Sequence, residues 1–473
     1  MLFNSLHFLV FFPVVLILFY VLPHRWRWAM LLVASYYFYM GWNAAYASLL
    51  FITTTVDYFV ARRIELCSEK RDRKRWLLLS LSANLGLLLY FKYYNFFIDN
   101  INHLSGSELK YMQFLLPVGI SFYTFQEMGY VIDVYRGQLK AEKHYGKFAL
   151  FVAYFPQLVA GPIERAGHLI HQLKQQVWLR YENFSKGIQF IIWGFFKKVV
   201  VADNLAIIVD TVYAQPENFG TNWLLLATYF FAFQIYCDFS GYSDIAIGVA
   251  KTMGIDLMEN FRIPYLARSI SEFWSRWHIS LSTWFRDYLY IPLGGSRISE
   301  WRTNLNLFAV FAISGLWHGA AWTFIIWGIL HGSYLVIENL LKKRERNSTN
   351  TIRGSIIIKA IRTIFIFHLV LFAWIFFRAD SLGDAVTVID GIFSFAPQQA
   401  ELPVEILRLL YLGILFKAFF VVALFASDPW MRKILRSETH LTYTPKLLLF
   451  GFLLAVIVLF GNWGEVEFIY FQF

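Results

Sequence analysis

The chain has 473 residues, of which 58% are hydrophobic, 20% aromatic and only 16% charged. A soluble domain averages about 45–50% apolar residues even with glycine counted, so this composition excludes an ordinary water-soluble enzyme and demands a core that faces lipid. The net charge of +10, from 42 Lys and Arg against 32 Asp and Glu, would suit nucleic acid or an anionic bilayer; the hydropathy selects the lipid bilayer and leaves no nucleic acid partner.

In chain order, the first apolar run covers 3–22 with no Lys or Arg before it, and His24–Arg25–Trp26–Arg27 follows it. A cleaved secretory signal has the opposite charge order, so a retained first helix with a cytoplasmic basic end is expected. The next run, 28–56, is interrupted at Gly41–Trp42–Asn43, and further runs cover 76–91, 111–126 and 148–163. The last of these contains Phe155–Pro156–Gln157 and Gly161–Pro162. A membrane tolerates such punctuation where neighbouring protein or a water-lined cavity satisfies the freed main-chain groups. Apolar runs continue at 188–208, 218–250, 303–337, 363–377, 408–427 and 447–464.

A span needs roughly 20 apolar residues, and several of these runs are too short or too long for one. The fold predicted is an all-α polytopic membrane protein with about ten to twelve transmembrane or re-entrant helices around a central funnel or tunnel. Residues 1–473 are expected to form a single membrane domain. Seven Lys or Arg between Arg62 and Arg75, four in Lys342–Arg346 and three in Met431–Arg436 mark cytoplasmic loops. The polar 97–108 stretch carries little positive charge and is expected outside, as is the N-terminus. Cys67 and Cys237 are too few for a disulfide scaffold.

Ionisable residues inside apolar segments are costly and default to functional candidates. The 35 residues of 303–337 hold no Asp, Glu, Lys or Arg, but they hold His318 and His331. They exceed one span and fall short of two, so Gly315–Leu–Trp–His–Gly319 is expected to mark a break. A histidine there is either a hydrogen-bonded packing group or a general base that needs little tuning. On one continuous helix, thirteen residues at ~100° each would set His318 and His331 about 220° apart; His331 then reads as structural.

The stretch 260–302 holds six arginines, among them Arg262, Arg276 and Arg286, with no lysine. Guanidinium forks bind phosphate or carboxylate in bidentate fashion, which suits an anionic donor; the alternation of Arg with aromatics equally suits interfacial helices anchored at headgroups. Asp238 and Asp244 sit among Ser, Gly and Tyr, where each needs a buried partner such as an arginine. Both read as organisers of the Arg/His region. Lys197 and Lys198 could contact donor or snorkel to the interface. No phosphate loop, G-x-S-x-G elbow or H-E-x-x-H motif is present, and the central histidines lack metal-site spacing.

Several segments together resemble the membrane-bound O-acyltransferases. They are Leu116–Pro–Val–Gly–Ile–Ser–Phe–Tyr–Thr–Phe–Gln126, Phe155–Pro–Gln–Leu–Val–Ala–Gly–Pro–Ile163, Phe196–Lys–Lys–Val199, Asp238–Phe–Ser–Gly–Tyr–Ser–Asp244, Phe273–Trp–Ser–Arg–Trp–His278 and Gly315–Leu–Trp–His–Gly319. The likeness is strongest to the bacterial branch that acts in alginate O-acetylation, peptidoglycan O-acetylation and teichoic-acid D-alanylation. One departure is Gln157, where some alginate-type members carry histidine, so alginate is not singled out as acceptor.

The resemblance implies that His318 is the key histidine and His278 its companion. It also implies that an acyl group passes from a cytoplasmic thioester, acetyl-CoA in the alginate-type members, toward an extracytoplasmic hydroxyl. It implies no tightly bound cofactor, a bacterial inner-membrane location and a periplasmic SGNH-type acyltransferase as partner. The C-terminal Phe468–Ile–Tyr–Phe–Gln–Phe473 resembles the tail of a small D-alanylation partner, which makes Tyr470 a possible acyl relay; an aromatic interfacial belt is the alternative. A transporter or flippase for a lipid-linked glycan is the rival reading of the residues, because broken helices and midplane polar groups suit it too.

Overall fold

The structure, a computed structural model, describes residues 1–113, 115–159, 161–346, 355–395, 404–436, 442–464 and 468–471. Among these residues there are helices and no strand. Six helices are long and apolar enough to cross a membrane: Ala44–Leu66, Lys70–Ser105, Thr221–Thr252, Trp322–Lys343, Ile356–Arg378 and Gly413–Leu435. Leu6–Val21 and Thr444–Phe460 are shorter apolar helices. The all-α polytopic expectation holds. The expected 111–126 segment begins later than its hydropathy suggests, because the chain stays non-helical until Gly119 (φ +76°) and the helix is Ile120–Tyr135.

The residues fall into two compact units. The first comprises Met1–Gly194, Tyr242–Glu259 and Tyr470–Gln472. Ser5 caps its first helix by accepting from the N–H of Phe8 at 3.2 Å, and Pro23 stands at the start of His24–Met40, a position where its missing N–H costs nothing. The predicted interruption falls at Gly41–Asn43, where Asn43 accepts from the N–H of Ala45 at 3.0 Å and starts the next helix. Two fully buried carboxylates occupy this unit. Asp57 takes hydrogen bonds from Ser80 (2.5 Å) and Asn84 (2.7 Å), and Glu127 takes one from Thr54 at 2.9 Å. Gly187 and Gly248 let two helices touch, since a Cβ on Gly248 would stand 2.5 Å from the carbonyl oxygen of Gly187.

The second unit comprises Phe195–Gly241, Asn260–Ile469 and Phe473. Its Phe196–Ala202 stretch is a π turn within a longer helix. The 35-residue uncharged run folds as two helices, Glu300–His318 and one that starts at Trp322. The break foreseen at the Gly–Leu–Trp–His–Gly motif is therefore real. The two helices press together through glycines: a Cβ on Gly315 would lie 2.3 Å from the carbonyl oxygen of Phe324, and one on Gly328 2.3 Å from that of Phe311. Glu338 reaches the start of the short Ile270–Trp274 helix and accepts from the N–H of Ile270 at 2.7 Å. A carboxylate is favoured at a helix N-terminus, where main-chain donors are unpaired. Cys67 is half-buried, Cys237 is buried, and both are free thiols.

Candidate active site

The chain reaches His278 through a left-handed residue. His278 has φ +43° and leads directly into the helix Ile279–Phe285. A non-glycine residue in this region costs on the order of 1–3 kcal/mol and persists only where its surroundings enforce it. Asn260 enforces it here. Its main-chain carbonyl accepts from the N–H of Ile279 at 3.0 Å, and its side-chain oxygen accepts from the N–H (3.1 Å) and hydroxyl (2.7 Å) of Ser280. The imidazole that this turn presents is fully buried, edge-on to Phe239 with ring centroids 4.6 Å apart.

His318 is the last residue of Glu300–His318 and is 3% exposed. Trp317 stands 5.0 Å from it and 6.2 Å from His278, centroid to centroid. One indole thus touches both histidines. The Gly319 break also overturns the expected phase of His331, because the two residues lie on different helices. Trp327 sits between them, 4.9 Å from His318 and 5.0 Å from His331. His331 accepts the indole N–H of Trp274 on Nδ1 at 3.3 Å, so its place is in the packed aromatic wall with Trp374 and Phe377.

A cavity of about 220 Å³ is lined by residues of the helix that follows His278 and of the helix that ends at His318. Leu281 and Ser282, three and four residues past His278, line it, as does Ser314, four residues before His318. The imidazoles of His278 and His318 are themselves buried and are not among the residues that line it. Val310 and Phe311 make its walls apolar, and Arg286 lies at its edge. Arg286 is exposed and pairs with Asp287 at 2.8 Å. Arg276 pairs with Glu272, and exposed Arg262 donates its main-chain N–H to the carbonyl of Arg276 at 2.9 Å. Of the three arginines singled out, only Arg286 lines the cavity.

The lysines and aspartates fall elsewhere. Lys197 donates to the Ser240 hydroxyl at 3.0 Å. Lys198 holds Asp203 at 2.8 Å and Asp238 at 2.7 Å. Both lysines are buried, which removes the snorkelling alternative, and the partner of Asp238 is a lysine where an arginine was expected. Asp244, six residues further along the same helix, is buried in the first unit. Tyr470, in that unit, lies edge-on to Phe122 with centroids 6.4 Å apart; Gln472 and Phe473 of the tail motif lie outside the described residues, as does Ala160 of the Phe155–Ile163 motif. Among the described residues no group of three or more His, Cys, Asp or Glu is placed to hold a metal ion. Sequence reasoning missed Asn260, Phe239 and Trp317, whose roles depend on contacts distant in sequence.

Two buried imidazoles set against one indole suit proton transfer, and the relatives of the chain define the class of chemistry. Residues 143–378 match the membrane-bound O-acyltransferase family. The chain is 41% identical to the probable alginate O-acetylase AlgI of Azotobacter vinelandii over 90% of this chain and 85% of that protein. It is 38% identical to the peptidoglycan O-acetyltransferase of Helicobacter pylori over 78% and 73%. To the teichoic acid D-alanyltransferase of Bacillus subtilis it is 31% identical, over 48% and 60%. The chain belongs to the membrane-bound O-acyltransferase family. It is a multi-pass membrane acyltransferase that uses an acyl donor, and the rival reading as a transporter without acyl chemistry falls away.

Proposed function

We propose that the enzyme moves an acetyl group from cytoplasmic acetyl-CoA, or a similar thioester, across a bacterial inner membrane for O-acylation of a cell-envelope or exported polysaccharide, with 1–473 acting as one membrane domain. The observation that carries this reading is the pair of buried imidazoles, His278 and His318, both set against the Trp317 indole; a cavity of about 220 Å³ is lined by Leu281, Ser282 and Ser314 of the helices that carry them. At about 30 Å³ per water-sized group, it has room for a short acyl thioester end. Arg286 offers a guanidinium for the donor's phosphates. The names of the relatives, an alginate O-acetylase and a peptidoglycan O-acetyltransferase, favour acetyl over longer groups.

In this reaction His318 takes the proton from an attacking hydroxyl, whose oxygen adds to the thioester carbonyl. The C–S bond then breaks, and the thiolate leaves with the proton that His318 carried. His278 steadies the second imidazole position, and the neighbouring Trp317 and Phe239 exclude water. Tyr470 is the first acceptor: its phenol becomes an acyl ester, and a second hydroxyl, on the acceptor or on an SGNH-type acyltransferase outside, then takes the acyl group and restores the phenol. A proteoliposome assay with labelled acetyl-CoA tests this. Wild-type protein is expected to release CoA and to acquire an alkali-labile label at Tyr470. A Tyr470→Phe variant that exports acyl groups at the wild-type rate would remove the relay.

A further inference from the structure

The C-terminal segment ends on a buried ion pair. The main-chain N–H of Ile469 donates to one carboxylate oxygen of Asp238 at 2.8 Å, and Phe468 and Ile469 are 1% and 3% exposed. The other carboxylate oxygen of Asp238 faces Lys198 Nζ at 2.7 Å. Lys198 lies in the π turn Phe196–Ala202, and the same turn grips the chain earlier: the N–H of Asn462 donates to the carbonyl of Val199 at 2.8 Å. Just beyond the turn, the Asn204 amide reaches the carbonyl of Phe460 at 3.1 Å, and the Asn462 amide that of Asp203 at 3.2 Å. Both 460–462 and Ile469 are therefore fastened to one buried cluster.

This cluster adjoins the histidine pair. Phe239, the residue after Asp238, packs against Phe468 at 5.6 Å on one side and against His278 at 4.6 Å on another. We propose that Asp238, its charge held by Lys198, is a positioning residue that seats the C-terminal segment beside His278 and so fixes the register of Tyr470, the residue that follows Ile469.

The chemistry favours this arrangement. A buried carboxylate is tolerated only when paired and hydrogen-bonded, and Lys198 alone must serve two, Asp203 and Asp238. The Ile469 N–H supplies a further donor in a charge-assisted bond. Because that donor is main chain, the bond fixes the path of the backbone whatever side chain is present. A slip of one residue would carry the tyrosine by about 3.4 Å, more than a reacting hydroxyl can tolerate. Moving Tyr470 into the reaction uses no further co-reactant. The inference rests on the reading of Tyr470 as acyl relay.

The test uses the full-length protein in proteoliposomes and two readouts: amide hydrogen exchange at Ile469, and acyl label at Tyr470 with turnover and KM for acetyl-CoA. Asp238→Ala leaves Lys198 paired with Asp203, so the buried ammonium keeps a carboxylate partner. It is expected to speed exchange at Ile469 roughly tenfold or more, the equivalent of one charge-assisted bond. Turnover and Tyr470 label are expected to fall by a similar factor, with KM unchanged. Asp238→Asn offers one oxygen where two donors, Lys198 and the Ile469 N–H, need one each, and is expected to fall between wild type and Asp238→Ala in both readouts. Ile469→Pro removes the donor and leaves the ion pair intact, so it reports even if Asp238→Ala fails to fold. Proline has no amide hydrogen to exchange, so this variant is read by turnover and Tyr470 label, which are expected to match those of Asp238→Ala, while Ile469→Val behaves as wild type.

Wild-type exchange in the folded Asp238→Ala protein overturns the seating, as does wild-type turnover with full Tyr470 label in folded Ile469→Pro. Fast exchange with undiminished turnover overturns the positioning role. Failure of the relay itself gives a different result, full turnover in Tyr470→Phe with wild-type exchange at Ile469.

Discussion

Gly328→Ala tests how tightly the helix hairpin fixes His318. The added Cβ would meet the carbonyl oxygen of Phe311 at 2.3 Å and the Cα of Gly315 at 3.1 Å, against 3.4 Å for ordinary contact. Neither obstacle is a flexible side chain, so the Glu300–His318 helix and its partner must part by about 1 Å, which a close-packed interior does not absorb freely. Overpacking of this kind costs roughly 1–3 kcal/mol. Trp327, the residue before Gly328, moves with it and carries one wall of His318. A displacement of about 1 Å at a reacting group can cost ~100-fold in rate. The variant is therefore expected to lose roughly that factor in CoA release while its helical content is retained, with Gly315→Ala behaving alike. Gly86→Ala is the control, because a Cβ there meets nothing within 4 Å; it is expected to gain about 0.5–1 kcal/mol and to keep full turnover. Thermal melting and CoA release, measured on the same preparations, decide the matter. Wild-type turnover in Gly328→Ala would refute the coupling of helix approach to catalysis.

Two further outcomes follow from the same geometry. Val310→Ala widens the cavity and is expected to favour longer acyl-CoA donors over acetyl-CoA by about tenfold, the usual weight of a methylene in an apolar pocket. Ser314→Leu fills the cavity and is expected to raise KM for acetyl-CoA; an unchanged donor-length profile in both would place the acyl group elsewhere. Outside the spans, burial opposes ionisation of Glu142, but the ammonium of Lys174 and the N–H groups of His144 and Lys143 outweigh it and hold the carboxyl below its usual range. A lowered folded-state pKa gives stability that is present above the ordinary glutamate value and is lost as pH falls through the lower one. Melting from pH 7 downward is therefore expected to show acid loss that Glu142→Gln removes, at a cost near neutrality of roughly 1–3 kcal/mol; a variant with the wild-type pH profile contradicts the assignment.

What was legible in the sequence is what depends on local pattern. Thirty-five uncharged residues exceed one span, so their length called for a break and the Gly315–Leu–Trp–His–Gly319 motif placed it. The punctuation at Gly41 likewise showed where a helix stops, and Phe155–Pro156–Gln157 starts a separate short helix, Phe155–Leu158, just past the end of Tyr145–Ala153. Hydropathy misplaced the start of Ile120–Tyr135 because it does not separate helix from apolar chain without helical structure, here largely exposed. The angular relation of His318 to His331 was lost at the very break the sequence announced, since helical phase does not survive a stop. The contacts that build the site span long separations: Asn260 grips Ser280, Phe239 meets His278, and Asp238 meets Lys198 and Ile469. A pattern with a period of two or 3.6 carries no trace of these. The arginines show the same limit, because only the fold separates Arg286 at the cavity from Arg262 and Arg276.

The most direct test of the account is transfer by the His318→Ala protein. Sealed vesicles hold labelled acetyl-CoA on the cytoplasmic side, and the readouts are CoA release and ester formed outside. Loss of a general base is expected to lower both by about 10²–10⁴-fold, with His318→Asn equally impaired and both proteins melting as folded, helical species. Transfer at the wild-type rate by either folded variant would contradict the account.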